Sequence, residues 1–308
     1  MKLADIQIRD PFVLLDGDAY YLFGSTDKDI WRGKGCGFDA YRCSGNIISP
    51  DAEWTGPIPA FRPDENFWSQ SNFWAPEIHR FNGSYYMFAT FKPIGAPDGQ
   101  YGRRGTAILK SASNLPEGPY LPHSEGPVTP HEWECLDGTF FEEDGKPYMI
   151  FCHEWQQVGD GQICVMPLSG DLRHACGEPQ LLFRASEAPW TAPLKGRAPG
   201  SYVTDGPFLF RCSASESALG REGELIMLWS SFDKDGKYAI GIARSATGSL
   251  FGAWTQSDSP LYSADGGHGM IFRTKNSSGA LADSCGKAYL AIHTPNDTPN
   301  ERAVFIAL

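Results

Sequence analysis

One phrase recurs along this chain, and its spacing narrows the possible folds more than any other feature. Arg9-Asp10-Pro11 runs into Phe12-Val13-Leu14-Leu15, then Asp16-Gly17, then Tyr20-Tyr21-Leu22-Phe23. Trp74-Ala75-Pro76-Glu77 runs into Ile78, Asn82-Gly83 and Tyr85-Tyr86-Met87-Phe88. Leu136-Asp137-Gly138 leads to Phe140-Phe141, Asp144-Gly145 and Tyr148-Met149-Ile150-Phe151. Thr204-Asp205-Gly206-Pro207 leads to Phe208-Leu209-Phe210 and, after a longer loop, Leu225-Ile226-Met227-Leu228-Trp229. A looser fifth copy runs from Gly266-Gly267-His268-Gly269 through Ile271-Phe272 to Tyr289-Leu290-Ala291-Ile292. Aligned on positions 10, 77, 137, 205 and 268, the units are 60 to 68 residues apart. A period longer than one hairpin, with a chemical group at the same point of each unit, describes a radial repeat. It predicts an all-β five-bladed β-propeller, with four-stranded antiparallel blades around a central channel, as one domain over residues 1–308. The first strand of each blade lines the axis, so the five phrase heads should ring one end of the channel. A two-sheet sandwich would give no reason for such a repeat.

Local signals agree. Runs such as Ser84-Tyr85-Tyr86-Met87-Phe88-Ala89-Thr90 and Lys237-Tyr238-Ala239-Ile240-Gly241-Ile242-Ala243 are short, rich in β-formers and bounded by turn residues. Asp16-Gly17, Asn82-Gly83, Asp144-Gly145 and Asp235-Gly236 sit between apolar runs, as hairpin turns do. No stretch has a sustained helical period, and the longest irregular ones are Phe61 to Ser71 and Gln180 to Pro199. The eight cysteines (36, 43, 135, 152, 164, 176, 212 and 285) are dispersed, several among strand residues, and read as reduced core thiols. A net charge of −11 opposes nucleic acid and anionic membrane as partners and suits a neutral substrate. Met1 to Asp10 contains no apolar run, so neither a signal peptide nor a membrane span is written there. A cytoplasmic protein is expected on that ground, unless a leader has been trimmed.

Three phrase heads are aspartates: Asp10, Asp137 and Asp205. Asp-Gly pairs usually make turns, but Asp137-Gly138 and Asp205-Gly206 stand at the entry of an apolar strand rather than between two strands. Asp10 precedes proline, which biases it away from helix. Carboxylates converging in one cleft suit glycosidic bond hydrolysis. One acid protonates the leaving oxygen, an ionised carboxylate activates water from the opposite face, and a third orients the acid and raises its pKa. Burial and mutual repulsion drive like groups toward opposite roles. Trp74, Trp133 and Trp155 lie near phrase heads, where an aromatic ring either stacks on sugar or packs between blades. His153 and Glu77 either line the pocket or serve as a core histidine and an inter-blade ion pair.

Taken together, Arg9-Asp10-Pro11, Trp74-Ala75-Pro76-Glu77, Leu136-Asp137-Gly138-Thr139-Phe140-Phe141, Thr204-Asp205-Gly206-Pro207 and Gly267-His268-Gly269 resemble glycoside hydrolase family 43 from Ile8 to about Phe305. The resemblance implies an inverting enzyme acting on arabinose- or xylose-containing plant polysaccharides, of α-L-arabinofuranosidase or β-xylosidase type. Endo-arabinanase or galactosidase action occurs in the same family, and cytoplasmic work on imported oligosaccharides would favour exo cleavage. By motif position it implies Asp10 as general base and Asp137 as the orienting carboxylate. The general acid falls on Asp205, where most members have Glu. Three readings follow: Asp205 reaches the leaving oxygen, Glu154 in Cys152-His153-Glu154-Trp155 replaces it, or the chain binds carbohydrate without cleaving it. The resemblance also implies Arg302 near the sugar hydroxyls and His268 near a calcium ion in the channel, while Trp74, Trp155, His153 and Glu77 stand as candidate substrate contacts from their own positions.

Overall fold

The computed structural model describes residues 1–95, 103–275 and 286–308. The strands form five antiparallel sheets in chain order, the five blades of a β-propeller. Blade 1 is β1 (Arg9–Asp16), β2 (Ala19–Ser25), β3 (Phe38–Cys43) and β4 (Thr55–Phe61). Blade 2 is β5 (Ser69–Phe81), β6 (Ser84–Pro93), β7 (Gly105–Ser111) and β8 (Tyr120–Pro122). Blade 3 is β9 (Cys135–Glu143), β10 (Lys146–His153), β11 (Gln162–Pro167) and β12 (Gln180–Arg184). Blade 4 is β13 (Asp205–Arg211), β14 (Leu225–Phe232), β15 (Tyr238–Ser245) and β16 (Trp254–Gln256). Blade 5 is β17 (Gly267–Arg273), β18 (Ala288–Thr294) and β19 (Arg302–Ala307).

Among the described residues the fifth blade therefore has three strands where four are expected. Its outer edge meets the start of the chain instead. Gln7 bridges to Arg302, and the Ile8 amide donates to the Glu301 carbonyl at 3.4 Å. Pairing the two ends of the chain in one sheet closes the ring, which an open sheet edge would otherwise leave exposed. Arg302, expected at the sugar, is used here. Its Nε donates to the Ala4 carbonyl at 2.9 Å and its guanidinium to the Pro299 and Glu301 carbonyls.

The turn signals act as read. Asn82 and Gly83, and Asp144 and Gly145, all have positive φ, the backbone a two-residue hairpin loop requires. The stretch expected to be irregular from Gln180 contains a strand, β12, because Leu182 and Phe183 pack inward from it. The one α-helix among the described residues is a single turn, α1 (Trp155–Val158).

Blades adhere through large apolar side chains. Phe38, Phe61, Phe73 and Phe91 pack in edge and tilted pairs between blades 1 and 2, with Phe38–Phe91 centroids 5.8 Å apart. Trp229 is wholly buried against Phe183 and Trp190 between blades 3 and 4. Aromatics at these seams bury the most area per residue ordered. The seven described cysteines are free thiols, and Cys285 lies outside the described residues. Among the described residues no helix is long and apolar enough to cross a membrane.

Candidate functional site

In every blade the inner two strands slip by one residue at the same point, a β-bulge. Two residues face one across the pair at Asp10-Pro11, Ala75-Pro76, Asp137-Gly138, Gly206-Pro207 and His268-Gly269. The first residue of each pair is left-handed, with φ of 53, 46, 54, 51 and 45° respectively. This bulge gives the true repeat register. It corrects the alignment by phrase heads at two places: Glu77 lies two residues beyond the left-handed position and Asp205 one residue before it.

Left-handed backbone costs a non-glycine residue roughly 1 kcal/mol or more, so something must hold it. The blade before supplies a side-chain acceptor for the strained amide. The Asp10 N–H donates to His293 Nδ1 (3.2 Å), Ala75 to Ser25 Oγ (2.9 Å), Asp137 to Thr90 Oγ1 (2.9 Å) and His268 to Ser230 Oγ (2.7 Å). These four acceptors occupy one register position on the second strand of their blades, opposite Gly267, Arg9, Trp74 and Asp205. In blade 3 that position, opposite Leu136, holds Cys152. The Gly206 N–H then donates to the Asp137 carboxylate (3.1 Å) instead. Glycine is required at 206 on two counts: its positive φ, and the His268 ring, which a Cβ there would meet at 2.6 Å.

Three of the strained positions, Asp10, Asp137 and His268, turn their side chains into a cleft of about 620 Å³. Asp10, Asp137, Asp205, Glu154, His268, Trp74 and Trp155 all line it. Asp10 is pinned by a hydrogen bond from Ser25 Oγ (2.7 Å), by His268 Nδ1 (3.2 Å) and by Arg9 Nε (3.7 Å). Burial raises its pKa, but His268, Arg9 and the Ser25 hydroxyl together outweigh that and hold it below the ordinary carboxylate range. His293 Nδ1 lies 3.5 Å from the Asp10 carboxylate, yet burial and Arg9 keep that histidine neutral, and the same nitrogen accepts the Asp10 N–H. Their contact is a hydrogen bond rather than an ion pair.

The other carboxyls go the opposite way. Burial pushes Asp137 up to about 7, helped by Asp205 and Asp10 and opposed by His268 and the Gly206 N–H. Burial also pushes Glu154 up to about 8, with Asp205, Glu134 and Asp137 adding to it and Arg104 opposing. Asp205 is raised as well by burial, against His268, Arg9 and a hydrogen bond from the Tyr238 hydroxyl (3.0 Å). For His268 burial works against charge, but Asp10, Asp137, Asp205 and Glu77 outweigh it and raise its pKa. The cleft thus holds one carboxylate kept below the ordinary range beside three whose pKa values burial raises.

Three expected contacts lie elsewhere. Glu77 accepts from Thr139 Oγ1 of the next blade (2.5 Å) and pairs with His79 Nε2 (2.9 Å), so it fastens blades 2 and 3. His153 stacks on Trp133 with centroids 4.1 Å apart and bonds Gln157 (2.8 Å), outside the cleft. Arg302 closes the ring, as described above. Trp74 is held by its Nε1 donating to the Ile30 carbonyl (2.6 Å), with the Arg104 guanidinium 4.7 Å above its ring. Arg197 lies 5.6 Å over Trp155.

The cleft also contains residues that the phrase does not mark: Trp31, Arg104, Tyr238, Lys195 and Arg197. Trp31 is 53% exposed and meets Trp74 edge-on with centroids 5.3 Å apart. A tryptophan in the polar loop Asp27 to Gly37 was its only sequence signal. Tyr238 reads as a core strand residue, and only the tertiary pairing of its hydroxyl with Asp205 distinguishes it.

Calcium prefers six to eight oxygen ligands. The described polar partners of His268 are Asp10, Asp137 and Ser230, and the first two turn toward its Nδ1. Among the described residues no group of three or more His, Cys, Asp or Glu is arranged to hold a metal ion. With the His268 ring already between the carboxylates, these residues do not fit a calcium cage.

Several known proteins share this fold and sequence pattern. The endo-arabinase from Bacteroides thetaiotaomicron VPI-5482 is 36% identical, with a TM-score of 0.82 over 100% of this chain and 96% of that one. An extracellular exo-α-(1→5)-L-arabinofuranosidase, ArbA, of Cellvibrio japonicus (strain Ueda107) is 24% identical over 215 residues, 67% of this chain and 56% of that enzyme. An extracellular endo-α-(1→5)-L-arabinanase of Bacillus subtilis (strain 168) is 22% identical over 159 residues, 49% of this chain and 45% of the enzyme. The matched region spans about half the length of these curated relatives. Both are extracellular by name, which overturns the expected cytoplasmic location; the composition of residues 1–10 carries no information about compartment. The family model for glycosyl hydrolases family 43 matches residues 4–307, and the chain belongs to that family.

Proposed function

We propose that this protein is an inverting glycoside hydrolase acting on arabinan-type chains, with Asp10 as general base. The observation that carries this reading is the split in protonation across one cleft. Asp10 is held ionised, while Asp137, Asp205 and Glu154 are all raised. Inversion needs that pair of states: a carboxylate to take a proton from water, and a carboxylic acid to give one to the leaving oxygen. Asp10 comes from blade 1, and the raised carboxyls come from blades 3 and 4, which are not its neighbours in the ring. Asp137 links blades 4 and 5, with the Gly206 N–H donating to its Oδ2 and His268 Nδ1 3.8 Å away. Its role is to orient and to set the pKa of the proton donor, while Trp31, Trp74 and Trp155 offer ring faces to the sugars. Arabinan is favoured over xylan because the similar full-length structure and both curated relatives are arabinan-cleaving enzymes by name. Both endo- and exo-acting enzymes are among the relatives, and location gives exo cleavage no support.

The test is hydrolysis of debranched arabinan, arabino-oligosaccharides and 4-nitrophenyl α-L-arabinofuranoside by wild type and Asp10→Asn. Wild type should release sugar, and Asp10→Asn should lose about 10²–10⁴-fold with its fold intact. Sugar binding without turnover on any of these would instead identify a carbohydrate-binding propeller. Rates unchanged by Asp10→Asn would remove the base assignment.

A further inference from the structure

Resting on the reading just given, we propose that the proton donor to the leaving oxygen is Glu154, from the end of β10, and not Asp205 at the family's motif position. Three observations about geometry support it. Glu154 is 5% exposed at the wall of the cleft, and its Oε1 has no hydrogen-bond partner among the described residues. Its nearest cation, Arg104, is already taken: Arg104 Nε pairs with Glu134 Oε1 and its backbone N–H donates to Glu134 Oε2 (3.2 Å). Only a contact of 3.9 Å from Arg104 Nη2 remains for Glu154 Oε2. A buried carboxyl left this way has an unused oxygen and little to stabilise its anion.

Asp205 is arranged differently. Its Oδ2 accepts the Tyr238 hydroxyl at 3.0 Å, a bond that favours its ionised form. Its side chain is one methylene shorter than the glutamate that most members carry at that point, so its carboxyl reaches less far from the backbone. An error of about 1 Å in such a reach costs on the order of a hundredfold.

The Glu154 backbone is fixed while its side chain is free to serve the cleft. Its N–H donates to the Glu134 carbonyl (2.8 Å), and its carbonyl accepts from Gln157 (2.9 Å) and Val158 (3.2 Å). The side chain makes no cap bond to the turn it precedes. Burial sets its pKa near 8, with Asp205, Glu134 and Asp137 adding against Arg104, so it stays protonated at neutral pH.

In the step, the Glu154 proton passes to the glycosidic oxygen as the bond from that oxygen to the anomeric carbon breaks, and the bonding pair stays on oxygen. Water attacks the carbon from the face opposite and gives one proton to Asp10. Glu154 ends ionised and Asp10 protonated, and exchange with solvent restores both.

Leaving-group dependence tests this assignment. Wild type, Glu154→Gln, Glu154→Asp and Asp205→Asn are assayed on 2,4-dinitrophenyl α-L-arabinofuranoside, whose leaving group needs no proton, and on arabinotriose, whose leaving group does. Glu154→Gln should fall about 10²–10⁴-fold on arabinotriose but stay within about tenfold of wild type on the aryl glycoside, and its pH–rate profile should lose the alkaline limb. Glu154→Asp, which keeps the proton but withdraws it, should lose about a hundredfold on arabinotriose and keep that limb. Asp205→Asn should slow both substrates alike. Arabinotriose turnover by Glu154→Gln within threefold of wild type, or the leaving-group signature on Asp205→Asn, would overturn the assignment and leave the functional reading standing. Wild type inert on both substrates would overturn both together.

Discussion

Replacing Glu154 by Gln should stabilise the protein, and by an amount that grows with pH. The folded state holds this carboxyl with a pKa of about 8, against 4.5 for an unperturbed glutamate. Between those two values the unfolded chain releases the proton and the folded chain keeps it. Stability therefore falls as pH rises from 4.5 to about 8 and levels off above. Over the interval from 4.5 to 7, at about 1.4 kcal/mol per pH unit, the loss is about 3 kcal/mol. Gln does not ionise and removes that loss. It does leave an N–H₂ where Oε1 has no partner, at a cost of about 1–3 kcal/mol. The protonated glutamate carries a similar orphan at pH 4.5, so comparing pH values cancels most of that cost. Thermal unfolding of wild type and Glu154→Gln at pH 4.5, 7 and 8.5 measures it. The Tm difference in favour of the variant should widen by about 4–6 °C between pH 4.5 and 7. A difference that does not change with pH would refute the buried, protonated state of Glu154.

Three further outcomes follow from the same geometry. His268→Asn removes the cation 3.2 Å from Asp10, so the acidic limb of kcat/KM should move to higher pH by about 1–2 units; an unmoved limb would refute the ion pair. Because the folded state raises the His268 pKa, its stabilising contribution is complete below 6.5 and lost as pH climbs through the raised value. The variant should thus be more destabilised at pH 6 than at pH 9. Cys152→Ser restores a hydroxyl to the register position where blades 1, 2 and 4 use Ser25, Thr90 and Ser230. A crystal structure of this variant should show the Gly206 N–H within about 3.2 Å of the new Oγ and off Asp137; an unmoved hydrogen bond would contradict the ring of acceptors. Trp31→Ala should raise KM on arabinan about three- to tenfold with kcat little changed, as loss of one stacking face would, whereas an equal fall in kcat would refute a binding role.

The architecture was legible because the bulge that positions chemistry also punctuates the sequence. Asp10-Pro11, Asp137-Gly138 and His268-Gly269 announce both a strand entry and a polar group, so the phrase could be followed around the ring. The same signal misled where blades differ. Glu77 looks like the head of its unit, yet the bulge falls on Ala75, and the glutamate two residues on fastens to Thr139 of the next blade. Asp205 looks equivalent to Asp10, yet the strained position is Gly206, since the His268 ring leaves no room for a Cβ there. A slip of one or two residues leaves the phrase intact and shows only in the strand pairing.

The rest of the site lay beyond sequence because it depends on what meets across blades. Nothing in Lys237-Tyr238-Ala239 tells that the Tyr238 hydroxyl reaches Asp205, and nothing in Ala291-Ile292-His293 tells that the imidazole accepts the Asp10 amide. Arg302 illustrates the converse. A charged residue beside the sugar by resemblance is, in this chain, a link between the first and last segments of the ring. Among the described residues the outer edge of β19 shows the same link, since Gln7 bridges to Arg302 there.

The central claim, water attack assisted by Asp10 opposite the departing oxygen, is tested most directly by proton NMR of the first-formed sugar. During wild-type hydrolysis of an α-1,5-linked arabino-oligosaccharide, the newly released reducing end should appear first as the β-anomer, with the α-anomer growing in only at the rate of mutarotation. Initial appearance of the α-anomer would mean retention, hence a covalent intermediate and a nucleophilic carboxylate, and would contradict the roles assigned to Asp10 and its opposing acid.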